Sequence, residues 1–320
     1  MSEPVLTSAI SVRRYIQPGN GYRRRQGTNV IMLSLAGVMT LLAVIPLFWI
    51  IGYVVYKGGQ YINVDFFTQM PKPLGMAGGG VLHSIEGTVI LAILAGILAI
   101  PPGLLAAFYA AYKPNTPLGT ALRFGTDVLA GVPSIVIGIF GYALVVKPQM
   151  HYSALAGGVV LAILMLPTII RTTEEMIKLV PHNLREGSLA LGSTEWRTAF
   201  QVTLPAAFNG IVTGFLLALA RAAGETAPLL FTALGNDRFE AGRFIQNGIQ
   251  AGQPLPVVLW NLLEQPVDSL PLTLFKYTQQ PFPERVNQSW AVALVLMLVI
   301  LVINLGARLW VQSRTVRARG

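Results

Sequence analysis

The sequence predicts an all-α membrane protein that crosses the bilayer six times, with its N- and C-termini cytoplasmic. Three observations carry this prediction. Hydrophobic residues make up 53% of the 320 and charged residues only 12%, with a mean hydropathy of +0.58, whereas a soluble domain has about 25% charged residues. Six apolar runs are long enough to span a bilayer as helices, at 29–56, 87–112, 125–146, 153–171, 207–234 and 290–311. Arginines flank both ends: Arg13, Arg14, Arg23, Arg24 and Arg25 precede the first run, and Arg308, Arg314, Arg317 and Arg319 close the last. Positive flanks mark the cytoplasmic side, so two such ends require an even number of crossings. The net charge of +9 is then a topology signal and does not point to nucleic acid. With no cysteine in the chain, a disulfide framework, a thiol nucleophile and a thiolate metal site are excluded.

Residues 1–28 form a cytoplasmic tail, and the run 29–56 is too long for a signal-peptide core and lacks a clear cleavage pattern, so it is a retained anchor. Glu86 and Asp127, preceded by Ser84 and Thr126, are placed at the starts of apolar helices, where acidic groups suit the helix dipole. In the second run Pro101-Pro102 removes two backbone donors, which predicts a kinked or broken helix. Such a helix either lines a cavity or simply packs. The third run holds GVPSIVIGIFGY, whose Gly131, Pro133, Gly138 and Gly141 predict a thin, bendable helix that lets neighbours approach closely. Lys113 and Arg123 fall in an inner loop, and Lys147-Pro148 in an outer turn.

Arg171 follows Leu166-Pro167 at the inner end of the fourth run and reads either as a snorkelling anchor or as a cytoplasmic gate. Arg171, Lys178, Arg185 and Arg197 place the loop 172–206 inside. The fifth run carries Arg221 and Glu225 in LARAAGETAPLLFTA, near mid-span, where a lone charge costs about 2.5–3.5 kcal/mol. At i and i+4 on a helix they share a face and can neutralise one another. They read as a structural ion pair or as an anion-path arginine held by its glutamate. Segment 235–289 is external, mixed in sign and rich in Gln, Pro and Asn, and residues 312–320 form a second inner tail.

The stretch 186–205, EGSLALGSTEWRTAFQVTLP, is a polar, glycine-containing helical segment between two apolar runs. Leu189, Leu191, Trp196, Phe200 and Val202 supply apolar contacts, while Ser188, Ala190, Gly192 and Ser193 keep part of its surface thin. It can lie in another protein's groove or rest at the membrane interface. No phosphate-binding loop GxxxxGK[ST] occurs, so ATP work falls to a partner. His83, His151 and His182 are scattered without ligand spacing, so no metal site and no catalytic site is expected.

The spacing from Glu186 through Gly192 to Val202, Leu204 and Pro205 resembles the E-A-A-x3-G-x9-I-x-L-P coupling loop of ABC-importer permeases, with Gly187 and Ser188 in place of the alanines. GVPSIVIGIFGYALVV, LPTIIRTTEEMIKLVP and RAAGETAPLLFTA add to the likeness. Over residues 80–234 the chain resembles the PstA family, one of the two permease subunits of bacterial phosphate ABC importers, and 290–311 fits it loosely. The resemblance implies a type I ABC-importer permease core over 80–311 in the bacterial inner membrane. It also implies a PstC-like second permease, a PstB-like ATPase dimer that binds the ATP-Mg, and a periplasmic phosphate-binding protein, with no cofactor in this chain. Carried over by motif, Glu186, Gly187, Ser188, Gly192, Leu204 and Pro205 form the ATPase-docking loop, and Arg221, Glu225 and Arg171 are the translocation-path candidates. A permease for sulfate or molybdate is the nearest rival, and a channel or scaffold without ATP coupling lies further off.

Overall fold

The computed structural model describes residues 20–76 and 78–317. The expectations that rest on residues 1–19 with Arg13 and Arg14, on Arg319, and on the side chains of Arg23, Arg308, Arg314 and Arg317 therefore lie outside the described residues. The described residues contain no strands, only an isolated bridge between Pro71 and Gly79. The chain divides into two units, one ending at Tyr53 and the other starting at Val54.

The first unit holds most of helix α1 (Asn20–Gly59). Leu33, Phe48 and Trp49 lie exposed along it, and a helix apolar on all sides is suited to lipid as its solvent.

In the second unit, α2 (Val64–Thr68) leads to α3 (Leu82–Tyr112), α4 (Pro117–Gly131) and α5 (Ser134–Gly141). A π-helical turn at Tyr142–Val146 joins α5 to α6 (Lys147–Gln149). Next come α7 (Ala154–Lys178), α8 (His182–Ala190) and α9 (Glu195–Thr198), then a second π turn at Ala199–Thr203 and α10 (Leu204–Ala223). The rest is α11 (Ala227–Leu230), α12 (Ala241–Gln250), α13 (Leu255–Leu263), α14 (Leu270–Thr278) and α15 (Pro283–Arg317). Five helices are long and apolar enough to cross a membrane, and the bent pair 117–131 and 134–149 makes a sixth span if counted as one.

The core sits where α3 meets α7 and α10. Leu91, Ala95 and Ala99 of α3 pack with Val160, Leu161, Met165 and Ile169 of α7 and with Ala218 and Ala222 of α10. Lipid offers no water-exclusion force between helices, so contact among small side chains holds such a bundle. At Gly138 an added Cβ would lie 2.6 Å from Pro228 Cα, which bears out the close approach expected of the GVPSIVIGIFGY segment.

Several expectations are corrected. The third run is not one straight span, because the chain turns by 103° between Gly131 and Ser134. Pro133 forces Val132 out of the helical region, to ψ 130. The Pro101-Pro102 pair does not break its helix, and α3 runs unbroken for 31 residues. Packing on α7 holds it on both sides of the prolines, through Ala95 and Ala99 before them and Gly103 against Ile169 after them. The fifth helix stops at Ala223 rather than 234, where Gly224 follows and Pro228 lacks a donor. Helices α3, α7 and α15 extend past the expected limits, so Arg171 lies within α7 rather than at its end.

Candidate functional site

Arg221 occupies the last turn of α10, a favourable place for a cation beside the helix dipole. Glu225 lies beyond the helix end, so the two do not share a helix face at mid-span as expected. They still pair, Arg221 Nε to Glu225 Oε1 at 3.7 Å, with side chains 58% and 18% exposed. Both border an open cavity of about 560 Å³, with Thr168 of α7, Gly224 and Asn304 of α15. Arg171 donates to Asp127 across α4 and α7, and both side chains are exposed. Asp127 thus lies inside α4, ten residues from its first, and serves as an arginine partner, not as the N-terminal group expected. Arg171 does not line the cavity that Arg221 borders, although Thr168, three residues before it on α7, does.

One turn further along α7 the charges are locked. Glu174, with its side chain 3% exposed, accepts from Arg123 Nε at 2.7 Å and Lys178 Nζ at 2.6 Å, and Arg123 also donates to Ala110 O at 2.8 Å. This knot ties α3, α4 and α7; Glu174 and Lys178 form a local i,i+4 pair, whereas nothing local marks the contact with Arg123.

The loop 172–206 does not hold a single helix across Gly192. Gly192 ends α8 at φ +84, its N–H bonding Leu189 O at 2.9 Å while the N–H of Ser193 bonds Ser188 O at 3.2 Å. This double closure requires a left-handed residue, which favours glycine. Thr194 then caps α9 by accepting from Arg197 N, and the Ser188 and Thr198 hydroxyls meet at 2.9 Å. Pro205 cannot donate, and just before it the Leu204 N–H reaches back five residues to Ala199 O, which widens the helix into a π turn. Glu186 and Gly187 are exposed and Ser188 half-buried. Leu191 is 89% and Trp196 65% exposed, with the Trp196 ring 4.6 Å from that of Phe200. The loop therefore presents large apolar side chains that, among the described residues, nothing fully covers.

A second network joins the first turn of α3 to the segment 235–289. Asp268 and His83 are fully buried, with His83 Nε2 at 3.6 Å from Asp268 Oδ2. His83 also meets Ser84 Oγ at 2.9 Å, while its buried Nδ1 has no partner among the described residues. Lys276 Nζ donates to Asp268 Oδ2 at 2.5 Å and Asp237 Oδ1 at 2.6 Å. Burial raises the Asp268 carboxyl, but His83, the Lys276 charge and the hydrogen bonds outweigh it and hold the group down at about 2. Burial likewise works against the Lys276 charge, and the Asp268 charge prevails and pushes its pKa up. His83 is thus not isolated as expected: it, Asp237 and Asp268 offer ligand atoms within 4.8 Å of one another. The Lys276 ammonium, bonded to both carboxylates, supplies the positive charge a metal would bring. Glu86 is a further correction: its carboxylate accepts from Ala241 N at 2.7 Å and Gly242 N at 3.3 Å, capping α12 and not its own helix.

A family model described as binding-protein-dependent transport system inner membrane component matches residues 103–315. The phosphate transport system permease protein PstA of Yersinia pestis is 39% identical over 289 residues, covering 90% of each chain. Its namesake in Haemophilus influenzae is 36% identical, over 91% of this chain and 96% of its own. A probable phosphate transport system permease protein PstA of Methanocaldococcus jannaschii is 36% identical, over 85% and 90%. Among solved structures, a chain of a bacterial alginate ABC transporter, crystallised with an alginate pentasaccharide-bound periplasmic protein, superposes with a TM-score of 0.55 at 15% identity, covering 89% of this chain and 93% of its own. A chain of the inward-facing MetNI methionine ABC transporter gives 0.54 at 16%, over 72% and 94%. At these identities the structures show a shared fold.

Proposed function

We propose, from the premise that the chain belongs to the binding-protein-dependent transport system inner membrane components and, among them, to the PstA permeases, that it carries inorganic phosphate inward as one subunit of an ATP-driven importer. It is a multi-pass inner membrane protein. The observation that carries the substrate is the identity to proteins named as phosphate permeases, sustained over nine-tenths of the chain. The chemistry agrees, because a phosphate dianion needs positive charge and donors along a low-dielectric route and Arg221, at the edge of an open cavity, offers both. Glu225 pairs with that charge, and Arg171 with Asp127 forms a second, half-exposed pair.

A PstB-like ATPase dimer binds and hydrolyses the ATP-Mg, and this chain, which lacks a phosphate loop, receives the motion through 172–206. Support comes from the exposed Leu191 and Trp196 on either side of the Gly192 turn, since apolar side chains of that size displayed together suit a partner's groove. A PstC-like permease completes the membrane pathway and a periplasmic phosphate-binding protein delivers the substrate. The test is uptake of radiolabelled phosphate by cells that carry this chain with those partners. Excess unlabelled phosphate should suppress uptake while sulfate and molybdate leave it unchanged; suppression by either of those would move the assignment to another oxyanion.

A further inference from the structure

A small, partly open cavity of about 110 Å³ lies where the last turn of α3, the end of α7, the start of α8 and the π turn before α10 come together. Tyr112, Lys178, His182, Arg185 and Thr203 are among its walls. A single water needs about 10–15 Å³ measured in this way, so the cavity has room for several waters or for one tetrahedral oxyanion.

Its polar lining donates far more than it accepts. The Arg185 guanidinium lies over the Tyr112 ring at 3.9 Å, which leaves its edge donors unused, and among the described residues no carboxylate pairs with it. Lys178 gives one bond to Glu174 and carries two further protons. The hydroxyls of Tyr112 and Thr203 meet at 2.6 Å; their mutual bond uses one proton, and the other is left for an acceptor. Helix α8 begins at His182 with no side-chain cap and no acidic residue in its first turn, so its free N–H groups add positive potential beside the same walls. Glu174, the nearby acid, is taken up by Arg123 and Lys178 and does not line the cavity.

We propose that this cavity binds a phosphate-type oxyanion on the cytoplasmic side and thereby restrains the coupling loop. The side of the membrane rests on the reading given under Proposed function. An anion held by Lys178 at the end of α7, by Arg185 on α8 and by the Thr203 hydroxyl ties together three elements that must shift if the exposed loop transmits motion. Occupancy therefore lowers turnover, and free phosphate accumulated inside and the phosphate of an anionic lipid headgroup share the required chemistry.

The test uses the complete importer in vesicles whose lumen corresponds to the cytoplasm, with ATP inside and labelled phosphate with the binding protein outside. Initial uptake is measured while unlabelled luminal phosphate is varied, in membranes of phosphatidylcholine alone and with phosphatidylglycerol added. Inhibition by luminal phosphate whose half-point rises roughly tenfold in Arg185→Gln, and less in Arg185→Lys, assigns the site to free phosphate. A rate change with phosphatidylglycerol that Arg185→Gln abolishes, without a luminal phosphate effect, assigns it to the headgroup. Equal responses in the native protein and the variant overturn the proposal. If the native importer takes up no phosphate, the functional reading fails instead. The cavity is then judged by thermal stabilisation of the purified chain by inorganic phosphate, and a shift unchanged by Arg185→Gln and Thr203→Val refutes it.

Discussion

Replacing Arg221 by Gln separates a pathway role from a structural one, and the geometry sets the size of each effect. The Arg221–Glu225 contact is 3.7 Å long, but the arginine side chain is 58% exposed in this chain and borders an open cavity; with water in that cavity, screening limits the pair to about 0.2–1 kcal/mol. Domains of this kind are stable by about 5–15 kcal/mol, so losing the pair leaves the fold intact. Arg221→Gln should therefore insert, copurify with its partners and melt within a few degrees of the native chain. Uptake should nevertheless fall to background, because Gln offers no charge to a dianion, while Arg221→Lys should keep part of it by retaining the charge without the planar fork of donors. Glu225→Gln added to Arg221→Gln removes any unpaired carboxylate, so it repairs a structural defect but not a missing anion site. The assay is initial phosphate uptake, normalised to assembled complex. Full uptake in the double variant would refute the pathway role.

Gly192 tests the loop through its backbone: a Cβ there meets no atom within 4 Å, yet φ is +84, so Gly192→Val should strain the turn by about 1–2 kcal/mol and lower transport-coupled ATP hydrolysis. Gly192→Asn, which tolerates this conformation, should retain most of it; equal loss in both would point to bulk instead of the turn. Lys276→Met leaves Asp268 buried beside Asp237 without a cation and should cost about 3–5 kcal/mol, read as a lower melting temperature; an unchanged melting point would mean that the network contributes nothing. Asp268 is depressed from 3.8 to about 2, so its stabilising contribution is complete above about pH 4 and is lost as pH falls toward 2, amounting to about 2 kcal/mol. Protease resistance of segment 235–289 should follow that curve in the native chain and lose its acid limb in Lys276→Met.

The long helices were legible because apolar runs of bilayer length leave the backbone few alternatives, and α3 and α7 appear where such runs occur. The bend at Pro133 and the end of α10 at Gly224 had visible local signals, but continuous hydrophobicity masked them: the run 207–234 stays apolar after its helix has stopped. Pro101-Pro102 failed in the opposite direction, since a local breaker was overridden by the packing of α3 on α7. The spacing within 186–205 was legible as a pattern, whereas the turn it encodes, a left-handed glycine closing α8, depends on hydrogen bonds no motif states. Contacts such as His83 with Asp268, or Glu86 with the start of α12, join residues more than 150 positions apart, so nothing local predicts them.

The pattern of charge pairing supports the proposed pathway more than any one residue does. Asp268 with Lys276, and Glu174 with Arg123 and Lys178, are carboxylates buried almost completely and bonded at 2.5–2.7 Å. Removing a partner from such a group leaves an uncompensated charge, so these networks resist rearrangement and hold the helices that carry them. Arg221 with Glu225 and Arg171 with Asp127 are different, each arginine being about half exposed. Solvent screens these pairs, so exchanging a carboxylate for a passing oxyanion costs little. Rigidly paired charges on either side of weakly paired ones are what a conduit for anions requires: a frame that does not yield, and arginines whose present partners can be displaced.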